Sequence, residues 1–259
     1  MSNPSIDLNI EGNVAVLTMN NPPANTWTQD TLTALKDTVT ELNANKNVYA
    51  LVITGQGEKF FSAGADLNVF ASGDKGVAAT MSKVFGDAFE ALTNFRGVSI
   101  AAINGYAMGG GLEVALACDI RIAEEQAQMA LPEAKVGLLP CAGGTQNLAW
   151  LVGEGWAKRM ILCGERLKAE KAREIGLVEE VVGAGESLAA AMKLANQVGE
   201  QSPVAVTACK ELIQKGRTQP MAHALPLERE LFVQLFDTKD QKEGVNAFLE
   251  KRKANWVNG

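Results

Sequence analysis

Apolar and polar positions alternate along the chain in stretches that predict strands and helices in turn. Two runs rich in β-branched residues, 6–10 and 14–19, flank a turn at Gly12 and predict a hairpin. Residues 28–42 carry leucine and valine at the i, i+3, i+7 spacing of an amphipathic helix. Residues 48–54 form a nearly unbroken apolar run with β-branched side chains, which predicts a strand buried on both faces.

The alternation of strand and helix continues to about residue 143. It predicts helices at residues 77–95 and 110–117 and strands at residues 98–103 and 120–123. Strands that alternate with helices indicate βαβ units with right-handed crossovers, and therefore an α/β fold. The rest is mostly helical, with a short strand near residues 178–182 and a polar end at 246–259. We therefore predict a β/α core over residues 1–200 and a helical segment over residues 201–259.

Composition and charge fit one large globular unit and exclude several classes of protein. The 259 residues are 47% hydrophobic and 21% charged, ordinary values for an enzyme with a well-buried core. A net charge of −6 without a basic stripe argues against a nucleic-acid partner. No apolar run is long enough to span a bilayer, and the first residues lack the regions of a secretion signal. We therefore expect no membrane association and a cytoplasmic location.

The chain has few metal-binding and nucleophilic side chains, which limits the kinds of site that it can form. A single histidine, His223, nearly excludes histidine-based zinc sites and Ser-His-Asp triads. The four cysteines form no CxxC pair and are expected to be reduced thiols; they are Cys118, Cys141, Cys163 and Cys209. Cys141 precedes a predicted helix, but without a neighbouring base it is expected to be structural and not a nucleophile.

A glycine-rich turn carries the most specific chemical signal. Residues 104–113 read NGYAMGGGLE, and Gly109 and Gly110 open the predicted helix that holds Glu113. The turn matches neither GxGxxG nor GxxxxGK[ST], so a nucleotide phosphate loop is disfavoured. The glycines instead allow another backbone to approach a helix N-terminus, where a free N–H and the helix dipole favour negative charge. Close packing of helix on strand, without a ligand, is the alternative.

A second small-residue turn and a second glutamate suggest a shared site. Residues 61–66, FSAGAD, could simply end a strand, but two such turns can each aim one N–H at a single oxygen. Glu113 could be a hydrogen-bonded structural acid, and Glu133 could be a solvated loop residue. If both face one cavity, their like charges raise one pKa and create an acid–base pair. The pattern then predicts acid–base chemistry beside a stabilised oxyanion.

Several blocks of sequence, taken in order, resemble the enoyl-CoA hydratases of the crotonase (enoyl-CoA hydratase/isomerase) family. These are FSAGADL at 61–67, NGYAMGGGLE at 104–113, ACDI at 117–120, PE at 132–133 and GLLPCAGGTQ at 137–146. The resemblance runs from the first hairpin to EKRKANW at 250–256, which is nearly the whole chain. It implies a crotonase-like spiral of ββα units, with the C-terminal helices used for oligomerisation.

The resemblance also implies roles for individual residues. By position, the N–H groups of Ala65 and Gly110 would bind the thioester oxygen. Glu113 and Glu133 would activate water and exchange the proton at the α-carbon. Coenzyme A would lie along the first loop and beside the basic C-terminal segment; the implied contacts are Ala63, Gly64, Asp66, Leu67 and Lys251. The family implies an acyl-CoA substrate, no metal, no cofactor beyond that coenzyme A, and a homotrimer or homohexamer.

The implied activity is reversible hydration of a 2-enoyl-CoA to a 3-hydroxyacyl-CoA, as in fatty-acid or related acyl-CoA degradation. One alternative is an isomerase or another acyl-CoA lyase, in which a single acid is usual. The other is a non-catalytic acyl-CoA-binding or RNA-binding relative, in which the acids would be lost. The chain departs from the family pattern at Asn68, Cys141 and Asn147, where lysine, glycine and arginine are usual. These departures are expected to affect a phosphate contact and subunit packing, and not the reaction class.

Overall fold

Two sheets and a set of helices make up residues 6–259, the part of the chain described by the computed structural model. The strands are β1 (Ile6–Glu11), β2 (Val14–Met19), β3 (Ala50–Gly55), β4 (Phe60–Ser62), β5 (Val98–Ile103), β6 (Tyr106–Met108), β7 (Ile120–Glu124), β8 (Gln128–Ala130), β9 (Leu167–Lys168) and β10 (Glu180–Val182). The α-helices are α1 (Gln29–Ala44), α2 (Lys75–Thr93), α3 (Gly110–Ala117), α4 (Gly144–Leu162), α5 (Ala169–Glu174), α6 (Ser187–Val198), α7 (Pro203–Lys215), α8 (Met221–Gln234) and α9 (Lys239–Leu249). Residues 1–5, on which the expectation about a secretion signal rests, lie outside this part.

The strands follow a repeating path between the two sheets. The larger sheet has the order β1-β2-β3-β5-β7-β10, and the smaller has the order β4-β6-β8-β9. The β1–β2 hairpin is antiparallel, as predicted, and the remaining pairs of the larger sheet are parallel. The chain passes from the larger sheet to the smaller and then into a helix in β3-β4-α2, β5-β6-α3 and β7-β8-α4. These stacked ββα turns confirm the predicted α/β spiral.

Apolar packing covers the central strands β2, β3 and β5 of the larger sheet on both faces, which explains their mostly apolar sequences, whereas the edge strand β1 is largely exposed. One face supplies Leu17 and Leu51 to the main core, where they join Leu35 of α1 and Phe89 of α2. The opposite face packs against α6, which contributes small alanine side chains to a second cluster. The site described below lies where the smaller sheet meets α3.

The C-terminal helices are less buried than the core. Helix α7 begins with Ser202 as N-cap and Pro203 in its first turn, the start signal visible in the sequence. Helix α8 has no buried residue, and α9 buries two. The proposed division at residue 200 stays a prediction. None of the helices in residues 6–259 is long and apolar enough to cross a bilayer.

The sequence pattern misses the smaller sheet entirely. Its strands are two or three residues long, too short for an alternation of apolar and polar positions to appear. Helix α4 also differs from a continuous pattern, since Gly153 breaks it with φ of 75°. At the C-terminus, α9 extends to Leu249, so residues 246–249 of the predicted polar end are helical.

Candidate active site

The loop after β4 and the first residue of α3 lie against each other. A Cβ on Gly64 would come within 2.6 Å of the Met108 carbonyl oxygen and 3.1 Å of the Gly110 nitrogen. Gly64 also has φ of +91°, so glycine is required by both its conformation and its surroundings. Ala65 follows Gly64, and within residues 6–259 neither its N–H nor that of Gly110 donates to a protein acceptor. Two free donors are therefore close together.

The main chain of Trp27 sets the direction of Ala65. The Trp27 N–H donates to the Gly64 carbonyl at 2.8 Å, and the Asp66 N–H donates to the Trp27 carbonyl at 3.0 Å. Trp27 and Ala65 thereby form a parallel β-bridge. Because the flanking residues make both bonds, the N–H of Ala65 points away from Trp27.

Glu113 lies one turn into α3 and is 3% exposed. Its Oε1 accepts hydrogen bonds from the N–H of Ala142 at 2.8 Å and the N–H of Gly144 at 2.9 Å. Burial raises the pKa of the Glu113 carboxyl, and the two backbone donors offset part of that rise. The donors come from the turn into α4, so the segment around Glu113 is held by a neighbouring ββα unit.

Glu133 begins a short 3-10 helix, Glu133–Val136, just after β8. Both of its carboxylate oxygens are buried, and neither accepts a hydrogen bond from the described part of the chain. Burial raises the pKa of Glu133 to about 7, and the charge of Glu113 adds to the rise. The backbone N–H of Glu133 itself offsets part of this shift, although it falls short of hydrogen-bond geometry. The carboxyl is therefore not the solvated loop group that was the alternative.

The two glutamates and the two free donors belong to one region. A Cβ on Gly109 would come within 3.2 Å of Oε1 of Glu133, and Gly109 precedes the donor Gly110. Glu113 lies three residues further along the same helix. An anchored carboxylate, a carboxyl that titrates near neutrality and two N–H groups can move a proton beside a stabilised oxyanion. Within residues 6–259, no group of three or more His, Cys, Asp or Glu side chains could hold a metal ion.

Two other predicted residues of the loop after β4, Ala63 and Asp66, make hydrogen bonds within the chain. The Ala63 N–H donates to the Ala24 carbonyl at 2.9 Å, while Leu67 is 51% exposed. Asp66 caps a 3-10 helix, and its Oδ1 accepts both the backbone N–H and the side-chain amide of Asn68. Asn68, which stands where lysine is usual in the family, thus takes part in the N-cap of this 3-10 helix.

The backbone N–H of Lys251 donates to the Phe248 carbonyl at 3.2 Å, just after the end of α9. No hydrogen bond or ion pair of the described residues joins Lys251 to residues 63–67. Its segment is held elsewhere, by Arg252 on Glu243 and by the Trp256 indole N–H on the Glu200 carbonyl. The role of Lys251 stays a prediction.

The other two departures lie close in sequence to the backbone donors to Glu113: Cys141 precedes Ala142, and Asn147 lies in the first turn of α4. Cys141 is exposed as a residue, but partial desolvation of its thiol raises the pKa of that thiol to about 11, and the carboxyls of Glu113 and Glu133 add to the rise. The thiol is therefore neutral at pH 7, which disfavours a nucleophilic role. Asn147 donates its backbone N–H to Gly143 at 2.8 Å and so helps to close the first turn of α4.

Two cavities lie near these elements. One of about 540 Å³ opens between the start of α1 and the start of α2, with apolar walls from Val69, Val77 and Met81. A larger one of about 710 Å³ lies between α7 and the end of α3, and no proposed catalytic residue lines it. The smaller cavity borders the residues that flank this site, Thr28 after the Trp27 bridge and Val69 after the β4 loop, although none of the proposed catalytic residues lines it either.

Sequence reasoning missed three contributors to this site. They are Trp27, which directs Ala65, and the N–H donors of Ala142 and Gly144. A backbone donor leaves no trace in the side-chain pattern, and the bridge to Ala65 joins residues far apart in sequence. Of the three, only Gly144 is a residue type that a sequence can mark as required. The structure gives the reason, because a Cβ there would come within 2.8 Å of Oε1 of Glu113.

Comparisons with known proteins show the family to which the chain belongs. The sequence profile of the enoyl-CoA hydratase/isomerase family matches residues 9–259. A short-chain-enoyl-CoA hydratase of Clostridium acetobutylicum is 40% identical over 258 residues, 96% of each chain. A solved structure of Pseudomonas aeruginosa DspI has a TM-score of 0.97 and 63% identity, covering 99% of this chain and 98% of that one. An enoyl-CoA hydratase structure from Bacillus anthracis has a TM-score of 0.95 and 35% identity, covering 98% and 100%. The chain belongs to the enoyl-CoA hydratase/isomerase family, as its sequence blocks predicted.

Proposed function

We propose that this chain is an enoyl-CoA hydratase, which adds water reversibly across the C2=C3 bond of a 2-enoyl-CoA. The observation that carries the proposal is the pairing of Glu113, anchored by two N–H donors, with the unpartnered carboxyl of Glu133. The Clostridium relative, named as a short-chain-enoyl-CoA hydratase, supports the same reaction. An isomerase needs to move one proton from carbon to carbon, whereas hydration uses a base for water and an acid for carbon.

The thioester oxygen accepts hydrogen bonds from Ala65 and Gly110. Negative charge develops on that oxygen when water adds at C3, because the C2=C3 electron pair moves toward the carbonyl. The N–H of Gly110 also lies at the N-terminus of α3, where the helix dipole favours an anion. The two donors therefore stabilise the enolate more than the substrate.

The glutamates divide the proton transfers. Ionised Glu113 takes a proton from water as the water oxygen bonds to C3, and protonated Glu133 then gives a proton to C2. The proton on Glu113 returns to Glu133 through solvent, which restores both groups. This chemistry uses two carboxyls and two amides, so it calls for no metal and no cofactor beyond the coenzyme A of the substrate.

The remaining parts of the substrate are assigned to the surroundings of this site. The acyl chain would occupy the cavity of about 540 Å³ between the starts of α1 and α2, and coenzyme A would lie along residues 63–67. Lys251 would reach the phosphates from a neighbouring subunit, in keeping with a homotrimer or homohexamer. The expected compartment is the cytoplasm, in which four free thiols would stay reduced.

Product analysis with crotonyl-CoA tests this function. We expect 3-hydroxybutyryl-CoA to form, with its hydroxyl oxygen drawn from labelled water. A shift of the double bond without uptake of water would favour the isomerase instead. Binding without any turnover would favour the non-catalytic relative.

A further inference from the structure

Trp27 contacts both halves of the proposed oxyanion hole. Its main chain bonds to the residues on either side of Ala65, as described above. Its indole ring lies beside Gly110, the other half, because a Cβ on Gly110 would come within 3.4 Å of Cδ1 of Trp27. One residue thus supports two donors that come from different ββα units.

The ring of Trp27 is held in place by an aromatic cluster. It packs edge to face on Phe89 with ring centroids 5.7 Å apart, and Phe89 packs in the same way on Phe85 at 5.6 Å. Phe85 also touches the space beside Gly110, at 2.9 Å from the position of a Cβ there. The cluster therefore forms a rigid wall behind the second donor.

Filling the core does not account for a tryptophan at this position. Trp27 is 2% exposed, and its indole N–H has no acceptor among residues 6–259. A buried donor without an acceptor destabilises a fold, and a phenylalanine or leucine would avoid that cost. The placement of an aromatic ring beside Gly110 is what this position supplies to the site.

We propose that Trp27 is a positioning residue that sets the spacing between the N–H groups of Ala65 and Gly110. The inference rests on the proposed hydratase function and adds a residue to its machinery. Trp27 touches no reacting atom. It acts by holding the Ala65 loop at a fixed distance from the start of α3.

Two substitutions separate this role from simple packing. Trp27→Leu keeps an apolar side chain but withdraws the ring from Gly110, so we expect kcat for crotonyl-CoA to fall on the order of tenfold with little change in KM. That is less than the roughly 100-fold loss typical of one missing oxyanion donor, because both donors remain. Trp27→Phe keeps an aromatic ring and should restore most of the activity.

The absorption band of bound cinnamoyl-CoA gives a second measurement, which a purely structural role of Trp27 would leave unchanged. Hydrogen bonds to the thioester oxygen of cinnamoyl-CoA shift its absorption to longer wavelength, so the bound band reports the geometry of the two donors. We expect Trp27→Leu to reduce this shift and Trp27→Phe to keep it. Phe95→Leu is the matched control, since Phe95 is fully buried away from the site; it should lower the melting temperature but keep the shift and kcat.

The outcomes distinguish this inference from the proposed function. A folded Trp27→Leu with the parental shift and kcat would reduce Trp27 to core packing, and a Phe variant as impaired as Leu would also overturn the inference. Trp27→Met takes the place of Leu if the latter does not fold, with the same two results. A parent that shifts cinnamoyl-CoA but does not hydrate crotonyl-CoA would remove the function and leave the role of Trp27 open to the same comparison of shifts.

Discussion

Both carboxylate oxygens of Glu133 are buried without a donor from the described residues, whereas Oε1 of Glu113 accepts two backbone N–H groups. Donors favour the ionised form of a carboxyl, and burial without donors favours the neutral form. The surroundings therefore make Glu133 the better acid and Glu113 the better base at neutral pH. Two identical side chains can serve opposite roles for this reason.

The pKa of Glu133 predicts how hydration depends on pH. The acid must be protonated, so kcat/KM for hydration of crotonyl-CoA should fall as pH rises through about 7. A rate profile from pH 5 to 9 measures this, and Glu133→Gln should remove the alkaline limb from its residual activity. An undiminished rate at pH 9 would show that protonated Glu133 is not the acid.

Gly144 gives a test of how Glu113 is held. A Cβ there would come within 2.8 Å of Oε1 of Glu113 and 2.9 Å of Cβ of Pro140, so Gly144→Ala should displace the carboxyl. We expect kcat to fall by about 10- to 100-fold, the range over which a misplaced base acts. Gly155→Ala is the matched control in the same helix, because a Cβ there meets nothing within 4 Å. Equal kcat values for the two variants would contradict the assigned contacts.

At the scale of elements, the proposed oxyanion hole depends on the close approach of the β4 loop to α3. Gly64→Ala should push the loop off Met108 and Gly110 and lower kcat on the order of 100-fold, as for one lost donor. Gly57→Ala is a control with the same backbone strain, since Gly57 has φ of +88° but open space around it. Steady-state kinetics and melting temperatures of both variants separate loss of the close approach from backbone strain. Similar losses of kcat in the two variants would mean that backbone strain alone lowers the rate. Gly110→Ala is a less clean test, because its Cβ would meet Phe85 in the core.

The sequence predicts long elements and local motifs well, and short or nonlocal ones poorly. The strands β3, β5 and β7 appear as apolar runs and the helices α1 to α3 as the longer segments that alternate with strands, and the glycine turn shows where Gly110 and Glu113 lie. The three-residue strands β4, β6 and β8 carry no readable period, yet they position both loops of the site. The bridge from Trp27 and the donors to Glu113 depend on contacts between distant segments, which no local pattern contains.

At the scale of the whole molecule, the C-terminal helices leave large apolar side chains uncovered. They include Phe232, Val233, Phe236, Phe248 and Leu249, each more than half exposed. Such surfaces are typical of subunit contacts. We predict an oligomer, which sedimentation at micromolar concentration should detect as a species well above 27.5 kDa.

A charged substitution on this apolar surface tests whether the surface forms the subunit contact. Phe248→Glu, at a side chain 83% exposed, should shift the sedimenting species toward the monomer without unfolding the core. Leu8→Glu, at an exposed position of β1, is a control on a different face. A parent that sediments as a monomer with full activity would contradict the proposed assembly and the need for Lys251 from a neighbour.

The central claim is that Glu113 and Glu133 act as a unit on one water and one carbon, and a double-mutant series in crotonyl-CoA hydration tests it most directly. Each single Gln substitution should lower kcat by at least roughly 100-fold, the scale of general acid–base catalysis. The double variant should cost far less than the product of the singles, because the second loss removes a group already idle. Glu125→Gln, the same change at an exposed position, should leave kcat unchanged. Near-parental hydration by either single variant, or a double variant whose loss equals the product, would contradict the account.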